Sequence, residues 1–546
     1  MVPAPPRAAV TEVGTCIELF SGGGGLAMAL HAAGFRHLLL NEFNKRACAS
    51  LRANFAVDYL PDEAPPATLT DAWPLIEGSI HDVDFTPFSG DVDLVAGGVP
   101  CQPFSLGGAH RGHLDERNLW PEFNRCVRET RPQVIVAENV RGLLRPSFGP
   151  YWDYIRRELA APFEQRIQGE SWTDHDRRLV KALRSGGDPT ERYDIAFQLV
   201  NAADYGVPQN RWRVLLVGFR KDLNISWTFP PATHSAGALL RAQLSGEYSA
   251  RHPLAPIKEH PGVTPPEDGL QPWRTVRDAI RDLPEPVERR ETPGLIHHVG
   301  WPGAREYTGH TPNTLDRPAK TVKAGVHGVP GGESVLRRDD GSIRYLTVRE
   351  VARIMTFPDD WRLEGPRGEQ MRQLGNAVPV ELGAVLGRAI AKTTQTTRTA
   401  DRTTRDPAVT SRIMRSVLSK NTKPELVLRR AVHARGGRFR LHAADVPGRP
   451  DMVVRSRKIA VFVDGDLWHG NPAEWRRRGR TSLADLFPNR TSWWVEKIER
   501  NIQRDRDVDR QLREDGWRVF RIWASDVLAD PNATASTVMS ALRERP

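Results

Sequence analysis

The sequence predicts an α/β protein, a doubly wound parallel sheet in the front of the chain joined to a second, smaller α/β unit. Three observations carry this. Over the first 220 residues short β-like runs alternate with helical stretches, the pattern of a doubly wound sheet. The turn Phe20-Ser-Gly-Gly-Gly-Gly-Leu26 follows the first run and opens a helical stretch. A polar, Thr-rich seam, 392–405, then separates a near-neutral front from a basic back.

The β-like runs are Thr15–Phe20, Arg36–Asn41, Val92–Gly97, Val134–Glu138 and Val214–Gly218. Ligands in doubly wound sheets bind outside the carboxyl ends of the strands, so the functional residues should follow these runs. Residues 163–193 read as a charged, helical insertion. Pro and Gly crowd between 229 and 340, which predicts a loop-rich lobe. Val380–Ile390 reads as a closing helix. The expected organisation is a loose tail over 1–13, a catalytic domain over 14–228, the lobe over 229–340, a return segment over 341–392, a linker over 393–406 and a second domain over 407–546.

With 546 residues, 39 % of them hydrophobic and 26 % charged, the chain is globular and long enough for several cores. No apolar run approaches the length of a membrane helix, and the start carries no signal-peptide pattern, so a soluble, cytoplasmic protein without membrane partners is expected. The four cysteines are Cys16, Cys48, Cys101 and Cys126. So few in such a length argue against a disulfide scaffold, and with no CxxC pair and none beyond residue 126 a cysteine-rich zinc site is excluded from the back of the chain. Residues 401–546 hold 30 Lys+Arg against 19 Asp+Glu, whereas the remainder holds 47 against 48. The basic unit therefore suits a polyanion, most simply nucleic acid.

The residues after the runs suggest chemistry. Glycines at a helix N-terminus let the backbone approach a cofactor, although the same turn also occurs without one. Asn41-Glu42, some 20 residues on, places an acid where it suits a ribose diol, and the pair points to an adenosine-containing cofactor. Cys101 follows a strand within Pro100-Cys101-Gln102-Pro103, poor material for core packing and good material for presenting a thiol. Taken alone, Glu138 at a strand end and the pair Arg211 and Arg213 are also compatible with structural ion pairs.

Together these residues resemble the DNA cytosine-5 methyltransferases over residues 14–392. The ordered motifs are Phe20–Gly25, Asn41-Glu42, Pro100-Cys101-Gln102, Glu138-Asn139-Val140, Gln209-Asn-Arg-Trp-Arg213, Arg349-Glu350 with Phe357-Pro358, and Gly375-Asn376-Ala-Val-Pro379. The resemblance implies a Rossmann-like class I methyltransferase fold with 229–340 as its target-recognition lobe. It implies that S-adenosylmethionine is held by Phe20, Gly22, Gly24, Glu42, Ile80, Pro100 and Asn376. Cys101 is then the nucleophile that adds to cytosine C6, and Glu138 meets N3 in a protonated state that requires a raised pKa. Arg213 would hold O2, and Arg211 would support the site or a phosphate. Double-stranded DNA is the implied partner, with the base flipped out of the stack. Two departures stand out: Ser79 replaces the usual adenine-contacting Asp, with Asp82 nearby, and Glu18 replaces a commoner Asp. Asp316–Val322 and His327–Gly332 resemble segments flanking base-reading loops, where Arg and Lys would read guanine or bind phosphate.

In the basic unit, Asp451 and Asp464 end adjacent runs and suit a divalent ion bound through oxygen, although strand-end Asp is also common in plain turns. Residues 407–546 resemble the very short patch repair endonucleases, through Pro447-Gly-Arg-Pro-Asp451, Trp468-His469, Trp493-Trp494-Val-Glu-Lys-Ile498, Asn501, Arg504-Asp505 and Gly516-Trp517. The resemblance implies a restriction-endonuclease-like fold that nicks DNA beside T·G mismatches. Asp451 is then the principal Mg²⁺ ligand, His469 the general acid/base, and Glu425 and Asp505 supporting residues. Trp468 and Trp494, with Leu467 where the family has an aromatic, match a wedge that opens the stack. Asp464 and Asp466 stand where the family places His and Cys, and its zinc ligands are missing, so no zinc and a fold held by packing alone are expected. The function implied is a methyltransferase fused to a mismatch nickase, with mismatch-repair partners. The alternatives are a single-chain restriction–modification enzyme with restriction partners, and a catalytically silent DNA-binding protein.

Overall fold

The structure is a computed structural model that describes the chain except for residues 1–9, 62, 101–117, 256–266, 307–310, 325–333, 402–421, 442, 444, 467–468, 472, 474–490 and 544–546. The chain divides into two compact units, the first running up to Arg402 and the second beginning at Thr403. Among the described residues no helix is long and apolar enough to cross a membrane.

The first unit is built on an eight-stranded sheet: β1 (Gly14–Leu19), β2 (Phe35–Glu42), β3 (Ala56–Asp58), β4 (Trp73–Glu77), β5 (Leu94–Gly98), β6 (Val134–Val140), β7 (Tyr193–Asn201) and β8 (Trp212–Arg220). Their spatial order is β3-β4-β2-β1-β5-β6-β8-β7. Only β8 runs against its neighbours, pairing antiparallel with β6 and β7. Central strands such as Leu94-Val95-Ala96 and Val134-Ile135-Val136 are apolar on both faces because helices cover both sides. One face packs Ile17, Leu19, Val95 and Ile135 against Trp120, Phe123, Trp152 and Ile155. The other packs Cys16, Leu94 and Val134 against Leu26, Leu30, Leu382 and Ile390.

The chain reversals in this sheet place one end of it in a single crevice. Parallel β1, β2, β5 and β6 end side by side, and antiparallel β8 starts at the same rim, with Arg213 opposite Val140. The five expected runs are all strands, and β3, β4 and β7 are additional. Between 163 and 193 the helix Trp172–Arg184 packs Trp172 and Leu179 against Tyr154 and Ala161, and His175 is buried between the Tyr154 hydroxyl and the Glu164 carbonyl. The lobe contains short helices, Ala236–Leu244, Glu247–Arg251 and Val276–Ile280, and very short strands. Its Val276, Ile280, Val322 and Leu336 share one core with Leu51, Trp73, Phe357 and Leu363, which seats the lobe on the catalytic half.

The closing helix runs over Val380–Asp401, beyond the expected Ile390 and through the first part of the expected linker. The Thr393 and Thr394 hydroxyls bond back to the Ala389 and Ile390 carbonyls, which satisfies these side chains within the helix they were expected to end.

The second unit has a three-stranded sheet, Met452–Val454, Ile459–Asp464 and Arg518–Trp523, with the middle strand antiparallel to the first and parallel to the last. Helices Lys423–Ala434, Ala524–Ala529 and Pro531–Arg543 pack Leu428, Val432, Val527 and Val538 on Met452, Ile459 and Val461. Phe462 and Ala460 meet Leu512 of the helix Thr491–Glu514 on the opposite face.

Candidate active sites

The glycine turn forms the first wall of the crevice. Phe20 (φ 59°), Gly22 (φ 53°) and Gly24 (φ 89°) adopt left-handed backbone, which costs an ordinary residue such as Phe20 strain that the surroundings must hold. A Cβ on Gly25 would lie 2.4 Å from the Val378 carbonyl oxygen, so this glycine is what lets the turn seat against the return segment. Trp361 donates from Nε1 to the Gly23 carbonyl at 3.1 Å and supports the turn from behind. Glu42 accepts from the Gly22 N–H at 2.7 Å through one oxygen and from the Asn44 N–H at 2.7 Å through the other. Burial pushes the Glu42 carboxyl upward, opposed by those N–H groups and that of Phe43. Sequence reasoning missed Phe43, whose ring is 75 % exposed directly beside Glu42. An acid beside an open aromatic face suits a ribose carrying a flat base, so the residues present fit an adenosine-containing cofactor.

The other cofactor residues are placed around this turn. Ile80 is buried in the turn Ile80–Asp82, and its carbonyl accepts from Arg125 Nη2 at 2.7 Å. Ser79 caps that turn by accepting from the His81 N–H, and Asp82 is exposed. Asn376 is exposed at the end of the helix Arg367–Asn376. Pro100 is half-buried just past β5, while Cys101 lies outside the described residues. The strand leading to it is pinned where Asn139 donates from Nδ2 to the Val99 carbonyl at 3.1 Å.

Glu138 and Arg213 meet at the rim where β6 and β8 pair, with Arg213 Nε 2.7 Å from Glu138 Oε1 and both side chains buried. Gly98 faces Glu138 across the ladder, and a Cβ there would lie 3.5 Å from Glu138 Oε2. Burial pulls the Arg213 pKa down against the attraction of Glu138. The result is a carboxyl group and a guanidinium fixed together one strand from the segment that carries Cys101.

Of the two roles expected of Arg211, its contacts suit support of the site and not a phosphate. Arg211 is 0 % exposed and donates to the carbonyls of Val322 (2.9 Å), Gly375 (2.7 Å) and Ala377 (2.9 Å). Its donors hold the return segment and the end of the lobe against β8, so it positions the site and cannot reach a phosphate. Gln209 works beside it, accepting from the Val322 N–H at 3.0 Å.

In the second unit, Asp451 accepts from the Val463 N–H at 2.8 Å. Burial pushes Asp451 up to about 6, aided by the charges of Glu425 and Asp464 and opposed by the Val463 hydrogen bond and Arg429. Glu425 caps its own helix through Thr422 and pairs with Arg429 Nη2 at 2.5 Å. His469 Nδ1 lies 2.6 Å from Asp505 Oδ2. Burial works to raise Asp505, and the His469 hydrogen bond with the charges of His469, Arg521 and Arg504 overcomes it, so the carboxyl ends below its ordinary range.

Of the expected Asp451–Asp464 metal pair, Asp464 is engaged by an arginine. Both oxygens of Asp464 accept from Arg521 Nη1 at 2.9 Å, and among the described residues no three His, Cys, Asp or Glu side chains gather as a ligand set. The residues therefore do not fit a divalent ion shared by those two aspartates. Arg521 was not foreseen, because it lies 57 residues from Asp464 in the chain.

Asp466 is also differently employed. It accepts from Asn471 Nδ2 (2.6 Å), Ser525 Oγ (2.5 Å) and the Ser525 N–H (3.0 Å), tying the loop after one strand to the helix after the next. The expectation of a fold held by packing alone is thus corrected, since this loop has a polar cross-link. Asp466→Ala should destabilise the second unit by about 2–4 kcal/mol through three lost bonds to one carboxylate. Thermal unfolding of the variant checks this, and a zinc-selective chelator added to the unsubstituted protein should leave its transition unmoved. Leu467 and Trp468 lie outside the described residues, and Trp494 falls in the helix Thr491–Glu514 with its side chain outside them.

Comparison with known proteins follows the same division. The family model of the C-5 cytosine-specific DNA methylase matches residues 14–161 and 177–392, leaving out the start of the helical insertion. That of the DNA mismatch endonuclease Vsr matches residues 402–475, a shorter span than the expected 407–546. The type II methyltransferase M.Eco47II of Escherichia coli is 32 % identical over 69 % of this chain and 79 % of its own length. M.PspPI of a Psychrobacter strain is 33 % identical over 69 % of this chain and 78 % of its own. Among solved structures, the Dnmt2 methyltransferase of S. pombe aligns over 70 % of this chain and 98 % of its own at 17 % identity, with a TM-score of 0.40.

Proposed function

Because this chain belongs to the C-5 cytosine-specific DNA methylase family, we propose that its first unit methylates C5 of cytosine in double-stranded DNA, with S-adenosylmethionine as the methyl donor. The observation that carries the reading is the buried Glu138–Arg213 pair beside the strand that leads to Cys101. Cytosine C5 is a poor nucleophile, so the Cys101 thiolate first adds to C6. Glu138 hydrogen-bonds N3 and Arg213 holds O2, offsetting the charge that this addition pushes onto the ring. Gly22, Glu42 and Phe43 would hold S-adenosylmethionine, which would supply the methyl group to C5. Loss of the C5 proton then expels Cys101 and restores the aromatic ring. The target base must leave the stack for any of this to occur.

The second unit is proposed to nick DNA at the T·G mismatches that deamination of 5-methylcytosine creates, a reading supported by the Vsr match and by the His469–Asp505 pair. With Nδ1 held by Asp505, His469 has Nε2 to carry a proton to or from the scissile phosphodiester. Asp451 is the other residue proposed to act there. The fusion keeps a repair activity at high effective concentration near the sites that need it. Both activities are proposed to act on DNA in the bacterial cytoplasm.

Asp451→Ala separates the two. It should abolish nicking and leave methyl incorporation within about twofold, as two independently folded units require. Loss of both activities in this variant would contradict the assignment.

A further inference from the structure

The chemistry of Asp464 goes beyond the proposed nicking reaction, on which this inference rests only for the unit's class. Arg521 stands on the strand Arg518–Trp523, opposite Phe462 of the middle strand, and its guanidinium lies 4.5 Å from the Phe462 ring centroid. Nη1 reaches both Asp464 oxygens at 2.9 Å, and Nε reaches Asp509 Oδ1 at 2.8 Å. Nη2 faces the Asp505 backbone carbonyl at 3.4 Å and its carboxylate at 3.6 Å. Three carboxylates thus surround one guanidinium, and two of them, Asp464 and Asp505, also flank His469 Nδ1 at 3.6 and 2.6 Å.

A divalent ion coordinates carboxylate oxygen at roughly 2.0–2.6 Å and needs those lone pairs directed at it. A guanidinium bonded to both oxygens of Asp464 directs them elsewhere and already supplies the neutralising charge. An ion entering at Asp464 would have to displace Arg521 from Asp464 while the guanidinium stays beside it, tethered through Asp509. We infer that Arg521 is a built-in cation that takes the place of a metal ion at Asp464, so that any divalent ion bound by this unit is bound without Asp464. Arg521 is on this view a positioning residue, holding Asp464 and Asp505 on either side of His469.

Binding of Mn²⁺ to the full-length chain tests this without DNA and without turnover. Electron paramagnetic resonance titrations compare the unsubstituted protein with Asp464→Asn, Arg521→Gln, Arg521→Lys and the Asp464→Asn/Arg521→Gln double variant. Asp464→Asn should leave Mn²⁺ affinity within about twofold, while Arg521→Gln, which frees a carboxylate, should tighten it by roughly tenfold or more. The double variant should return to the starting affinity, and Arg521→Lys, which keeps the charge, should show no gain. Weakening by tenfold in Asp464→Asn, or no gain in a folded Arg521→Gln, would overturn the inference. If Arg521→Gln fails to fold by circular dichroism, Asp464→Asn alone decides. Failure of the nicking proposal would appear in cleavage assays and leave these titrations unaffected.

Discussion

Cys101→Ser should lower methyl incorporation into DNA by roughly 10⁴-fold or more, because a serine hydroxyl at neutral pH has almost none of the nucleophilicity of a thiolate. Binding of S-adenosylmethionine should persist, since Glu42, the Gly22 turn and Phe43 lie on other strands of the crevice. Incorporation of label from the donor and equilibrium dialysis of the donor read the two effects separately. Retained incorporation would remove the nucleophile from the mechanism and with it the role given to Glu138. Loss of both would mean that the Pro100–Gln102 loop shapes the cofactor site.

Arg211→Met carries the largest expected effect on stability. The substitution strips donors from the carbonyls of Val322, Gly375 and Ala377 in a position with no solvent access. Breaking a buried, hydrogen-bonded charge of this kind costs about 3–5 kcal/mol, a large part of a domain's stability. The transition of the first unit should shift strongly downward in thermal unfolding while that of the second unit stays in place. Arg211→Lys should not rescue it, because a single ammonium lacks the planar fork that spans three carbonyls. Arg213→Lys should behave oppositely, lowering kcat with a much smaller loss of stability. An Arg211→Met protein that is stable and inactive would return Arg211 to the substrate.

These two arginines show where the sequence was legible and where it was not. Arg211 and Arg213 are two apart, so strand alternation puts both on one face and says nothing of their different fates. What separates them is the return of residues 322 and 375–377 to Arg211, while Arg213 meets Glu138 across the ladder. The same limit hid Arg521, whose capture of Asp464 depends on strand register and not on any local pattern.

Local patterns did serve for the buried parallel strands, whose apolar runs leave little else to fold into. They failed for β4, where Pro74 argues against a strand, and for β3, which has three residues. The threonines after Lys392 look like linker until their hydroxyls are seen bonding back along the helix. Around the cofactor turn the motif positions of Gly22 and Glu42 were readable, whereas Phe43 became a candidate only when its ring proved exposed.

The central claim, that one chain both makes 5-methylcytosine and repairs its deamination product, is tested most directly with one preparation of the full-length protein in Mg²⁺. It is given three end-labelled duplexes, unmethylated, hemimethylated and T·G-mismatched, each in a library of sequence contexts. The account predicts methyl incorporation into the paired duplexes and a single nick confined to the T-bearing strand of the mismatched one, in the same sequence context. Double-strand cleavage of the paired, unmethylated duplex would contradict it and make the second unit a restriction nuclease guarded by the first.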